Sequence, residues 1–193
     1  MLDPLILRII SVGFAILFIP AAIHKLANIS QFTAILRAYK IMPERMTIIA
    51  SWLIPLLELQ LGSAWLLLEI INLPTTIIAT MSAMLLGLYT LGIAINILRG
   101  RSYIDCGCSF STTIAKTDND GTMQHLSLGL VVRNVLLIIV ALVAALPISV
   151  RNFLFIDYFS LLTATIAIVL LFGAFNQLLI NRNAINTWRK SHG

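Results

Sequence analysis

Of the 193 residues, 59% are hydrophobic and 11% are charged, where a soluble globular domain carries about 25% charged residues. That balance excludes a water-soluble domain with an ordinary charged surface. The net charge of +5 does not point to nucleic acid either, because the thirteen Lys and Arg are scattered between apolar runs, with no basic stripe and no interleaved aromatics.

A helix that crosses a bilayer needs about 20 mostly apolar residues, and in lipid the backbone has no partner outside its own helix. Five stretches meet that requirement: residues 4–23, 47–70, 75–98, 126–148 and 158–180. The expected fold is an all-α integral membrane protein, a bundle of about five transmembrane helices with one amphipathic interfacial helix. Residues 1–193 are read as a single membrane domain. There is no internal repeat and no low-complexity tract.

The first stretch begins MLDPLILRII. A cleaved signal needs a positive region before its apolar core; here the first charge is Asp3 and Arg8 lies inside the run. It is read as a retained span. At its end His24 and Lys25 are either a proton donor beside a reactive site or an interfacial pair that snorkels and caps helix carbonyls. In the following connection, residues 24–45, Phe32, Ile35, Leu36 and Tyr39 recur at steps of three and four, with Arg37 and Lys40 on the other face. This spacing predicts an amphipathic helix lying on the membrane surface or capping the bundle.

The second span carries Glu58 in "LIPLLELQLGSAWLL". Pro20 and Pro55 lie inside spans and are expected to kink them. "INLP", residues 71–74, predicts a tight hairpin into the third span. There Ala79, Ala83 and Gly87 stand four apart, a spacing that lets helices pack closely. Trp52, Trp65 and Trp188 read as interfacial anchors.

After the third span comes "RSYIDCGCSF", residues 101–110, with the only two cysteines in the chain. Cys106 and Cys108 flank a glycine. A disulfide across so small a ring is strained and easily reduced, which suits exchange better than structure. Arg99 and Arg101 favour the thiolate, while Asp105 opposes it. Inert or lipidated thiols are the plain alternative. A metal site is a weaker one: two cysteines fall short of four ligands unless the fold gathers His24, His125 and Asp105. No metal is assigned. With no second dithiol in the chain, a redox-active disulfide here needs a partner on another protein.

The fourth span holds Arg133 and Asn134. An ionisable group inside a membrane faces the interior and finds a partner, and Glu58 with Arg133 is the first candidate pair. It is read as a structural ion pair or, with Asn134, as a polar patch that handles protons or a quinone head group. Five spans put both long connections and the tail on one side. Those segments hold ten Lys and Arg, against Arg8 and Arg151 opposite. The positive-inside rule then places the cysteines in the cytoplasm.

Taken together, "AAIHKLANISQFTAILRAYKIMP", Glu58 with Gly62, "DCGCSF" and the "RN" of the fourth span resemble the MauE family of methylamine utilisation proteins and its wider DoxX-like relatives, over nearly the whole chain. Where the family continues Phe-Gly after the second cysteine, this chain has Ser109-Phe110. The resemblance implies a multi-pass protein of the bacterial inner membrane. It implies a part in maturing the disulfide-rich β subunit of methylamine dehydrogenase, alongside a thioredoxin-like MauD-type companion, by thiol–disulfide exchange. Amine oxidation itself would belong to the dehydrogenase. Cys106 and Cys108 would carry the exchange, with His24 as a candidate proton donor. The rival reading is a non-catalytic transporter or assembly scaffold with inert cysteines.

Overall fold

A computed structural model describes residues 2–68, 74–99, 128–147, 149 and 155–191. These residues form six helices: α1 (Pro4–Ala27), α2 (Ile29–Tyr39), α3 (Glu44–Leu66), α4 (Thr75–Leu98), α5 (Leu128–Val143) and α6 (Phe155–Ser191). Asp3 starts α1: its Oδ1 accepts the Leu5 N–H at 2.8 Å, and Pro4 occupies the first turn, where its missing N–H costs nothing.

The core follows helical spacing. Leu7, Ser11, Phe14, Phe18, Ala22 and Lys25 form one buried stripe along α1, and it packs mainly on α3. Gly62 permits that contact. A Cβ there would meet Ile19 Cγ1 at 2.7 Å and the Ile19 backbone nitrogen at 3.2 Å. The expected small-residue stripe on α4 works differently: Ala79 is fully buried, but a Cβ at Gly87 would have nothing within 4 Å. The close approach is therefore between α1 and α3. On its other side α4 packs mainly on α5.

Four helices are long and apolar enough to cross a membrane: Pro4–Ala27, Glu44–Leu66, Thr75–Leu98 and Phe155–Phe175; Gly129–Val143 is a shorter apolar helix. The chain is a multi-pass all-α membrane protein. Exposed Ile49, Met84, Leu88 and Leu171 are its lipid-facing surface. Of the five expected spans, the fourth is thus the shortest helix, and the fifth continues beyond residue 180 to Ser191. The amphipathic helix is α2, with Phe32 as its buried residue and Arg37 and Lys40 exposed. Residues 71–73 of the expected hairpin turn lie outside the described residues.

Trp65 is not an interfacial anchor. It is 0% exposed, stacks on Phe14 with ring centroids 5.3 Å apart, and donates its indole N–H to Ser82 Oγ at 2.9 Å. It sits on the inward stripe of α3, four residues before which Leu61 is also buried. Trp52 is half-exposed; the side chain of Trp188 lies outside the description.

Leu2 ties the two ends of the bundle's foot together. Its N–H donates to the Pro147 carbonyl at 2.8 Å, and its carbonyl accepts the Ser149 N–H at 2.9 Å. The start of α1 and the exit of α5 thus share one end. The opposite end carries α2 and the last turn of α4.

Candidate functional site

Four elements converge on one buried ionic cluster. Lys25 comes from the last turn of α1, Phe32 from α2, Glu58 from near the middle of α3, and Tyr89 from α4. A helical side chain leans toward the helix N-terminus. A lysine in the last turn of α1 therefore reaches back into the bundle. The Lys25 ammonium lies 2.5 Å from Glu58 Oε1 and donates to the Tyr89 hydroxyl oxygen at 3.0 Å. Tyr89 in turn donates to the same Glu58 Oε1 at 2.6 Å. Lys25 is 3% exposed and Glu58 is 2% exposed. The ammonium also stands over two aromatic faces, 4.7 Å from the Tyr89 ring centroid and 5.3 Å from that of Phe32.

This arrangement corrects the expected pairing of Glu58 with Arg133. Arg133 is on α5, which packs on α4, whereas Glu58 is on the face of α3 that meets α1. The nearest cation to that face is Lys25. Its placement also removes the snorkelling reading for Lys25, since the charge points inward. Arg133 and Asn134 are both buried; the Arg133 guanidinium lies 5.5 Å from the Phe172 ring centroid and donates to Asn134 Oδ1 at 3.4 Å. They remain close in level to the cluster. Ile93 packs with Leu130, and one turn further along each antiparallel helix stand Tyr89 and Asn134.

His24 is half-buried. Its carbonyl accepts the Asn28 backbone N–H at 3.1 Å and the Asn28 Nδ2 at 3.2 Å, closing the end of α1. Cys106 and Cys108, with Asp105 and His125, lie outside the described residues. Tyr89 is the site member that sequence reasoning did not single out, and Lys25 was named only beside His24, not as the partner of Glu58. The signal for Lys25 was present: it continues the inward stripe of Phe14, Phe18 and Ala22. Tyr89 lies between buried Leu86 and Ile93 on the spacing of the α4 core face.

Chemically, the cluster holds an ammonium, a carboxylate and a phenol linked pairwise by hydrogen bonds, the contact that proton transfer requires. Its stated contacts leave Glu58 Oε2 unused: this oxygen is buried and has no hydrogen-bond partner among the described residues.

The model of the family "Methylamine utilisation protein MauE" matches residues 3–147. The methylamine utilization protein MauE of Paracoccus denitrificans is 30% identical over 145 residues, covering 75% of this chain and 71% of that protein. The protein of that name from Paracoccus versutus is 34% identical over 143 residues, 74% and 70% of the two chains. The one from Methylorubrum extorquens is 31% identical over 134 residues, 68% and 64%. No solved structure matches.

Proposed function

The chain belongs to the MauE family of methylamine utilisation proteins, and from that premise we propose that it is an inner-membrane accessory factor that helps mature the β subunit of methylamine dehydrogenase by thiol–disulfide exchange through Cys106 and Cys108. The observation that carries this reading is the cysteine pattern: two thiols in the whole chain, one glycine apart, a few residues beyond the end of α4. A lone, strained pair is suited to passing a disulfide on rather than to bracing the fold.

The partner thiols then belong to another protein, and a thioredoxin-like companion of the MauD type fits that role. The whole of residues 1–193 acts as one membrane unit. His24, beside the cluster in sequence, is the proposed proton donor. Glu58, Arg133 and Asn134 form the polar interior beneath, which serves protons or a quinone head group, and Lys25 and Tyr89 join them there.

The test is the Cys106→Ser, Cys108→Ser double variant in cells growing on methylamine. Maturation of the β subunit is expected to fail, and any disulfide-linked complex with the companion to vanish. Normal maturation would overturn the exchange role and leave a scaffold with inert thiols. Alkylation before and after reduction separates the same two cases in the wild-type protein.

A further inference from the structure

Buried polar groups are distributed unevenly along the bundle. Toward the end that carries Leu2 they satisfy one another. Ser11 Oγ donates to the Trp65 carbonyl, Trp65 Nε1 to Ser82 Oγ, and Ser82 Oγ to the Ile78 carbonyl at 2.8 Å. Phe14, Phe18 and Trp65 stack beside them.

Between Glu58 and α2, acceptors are left over. Glu58 Oε2 and Asn96 Oδ1 are buried and have no hydrogen-bond partner among the described residues. Pro55 has no N–H to offer the Ser51 carbonyl one turn back. All three are acceptors; the buried donor in the same condition, Arg133 Nε, is on α5. On α3 they belong to one inward stripe, Thr47, Ser51, Pro55 and Glu58, which runs turn by turn from the helix start to the cluster. Asn96, 0% exposed, is near the end of α4 that reaches the same end of the bundle. A native interior rarely leaves such groups dry. Their common lack is a small hydrogen-bond donor that fits between helices, and water meets it.

We infer that the half of the bundle between Glu58 and α2 is a hydrated inlet: water enters beneath α2 and reaches Glu58 Oε2, and the half beyond is dry. α2 is its roof. Phe32 covers Lys25, the Tyr39 ring lies over Gly92, with its Cε1 3.5 Å from where a Cβ would stand, and Arg99 donates to the Lys40 carbonyl at the end of α2 at 3.4 Å. Glu58 is thereby in aqueous contact with one side of the membrane, the side from which the cysteine segment departs. This holds whether or not the cysteines exchange disulfides.

The test uses the full chain in native membranes, with Cys106 and Cys108 replaced by Ser. Single cysteines are then placed by Ser51→Cys and Asn96→Cys in the inlet, and by Ala79→Cys and Ala141→Cys in the dry half. The probe is 2-aminoethyl methanethiosulfonate, which modifies a thiolate in contact with water. Inlet positions are expected to react at least about tenfold faster than the dry positions, which react only through rare opening. Thr47→Cys replaces either inlet variant that fails to accumulate. Inlet thiols protected as well as residue 79 would overturn the proposal, and so would equal reaction at all positions, which marks general opening and no inlet.

Discussion

Lys25 and Glu58 are opposite charges in direct contact inside the bundle, each buried. Removing one partner of a buried pair leaves an uncompensated charge and costs about 3–5 kcal/mol, whereas replacing both by apolar groups of similar size is often nearly neutral. Lys25→Met and Glu58→Leu are therefore each expected to lower the amount of protein in the membrane and its thermal midpoint in detergent, and the double variant to recover most of the loss. Full levels in both single variants would show that the pair does not hold the bundle. Gly62→Ala gives a second residue-scale test. The added Cβ is 2.7 Å from Ile19 Cγ1 and close to backbone, so α1 and α3 must separate, at about 1–3 kcal/mol. Gly13→Ala, with nothing within 4 Å of the new Cβ, is the control and should not destabilise. The sequence shows why Glu58 must have a partner but not which one. Arg133 and Lys25 are equally cationic on paper, and only the α1–α3 contact, made by Gly62, brings one of them to the carboxylate. Trp65 was misread for a similar reason: interfacial and core tryptophans look alike near a helix end until the neighbouring Phe14 and Ser82 are in place.

At the scale of the helix, α2 was legible because its apolar residues keep helical spacing against a cationic face. That spacing leaves its seat open between the membrane surface and the cap of the bundle, and the helix packs on the bundle. Beside its packing on α3 and the exposed Arg37–Glu44 ion pair, the helix is held by buried Phe32, Tyr39 over Gly92, and the Arg99 link to Lys40, whose backbone adopts a left-handed φ of 48° to end the helix. Phe32→Ala removes the aromatic face over the Lys25 ammonium and opens a cavity; a buried Phe→Ala costs about 3–5 kcal/mol, of which a partly covered lid helix should lose the lower end. The expected result is faster protease cleavage within residues 28–43, with α1, α3 and α4 still intact. Cleavage at the wild-type rate would mean that Tyr39 and Arg99 suffice. α5 illustrates a different limit of sequence reading. Hydropathy marks where an apolar run ends, and it extended this span to residue 148, but Val143 is the last helical residue and the chain then turns toward Pro147 to meet Leu2.

For the whole molecule, the parity of the spans and the contacts at the foot agree: α1 begins where α5 exits, so α2 and the last turn of α4 occupy the other end. Burial of Lys25 removes one cation from the count at that end, yet the remaining Lys and Arg still outnumber Arg8 and Arg151 opposite. By the positive-inside rule Cys106 and Cys108 are expected in the cytoplasm. A membrane-impermeant maleimide should then label them in reduced cells only after lysis. Strong labelling of intact cells would reverse the orientation; under the proposed exchange role the protein would then act directly on the periplasmic side, whereas the cytoplasmic arrangement would require reducing equivalents to cross the bilayer. The family match spans residues 3–147, and α6 follows it. Because Leu2 is hydrogen-bonded to Pro147 and Ser149, the unit from α1 to α5 is almost a closed ring. Its ends could be joined by a short peptide and a new start made between α3 and α4, at the cost of α6, which packs on α1 and sets Phe172 against Arg133. Such a circular permutant would insert α4 and α5 before α1 and α3, and would recover the same Lys25–Glu58–Tyr89 junction, because that junction depends on which helices are neighbours and is indifferent to which is synthesised first.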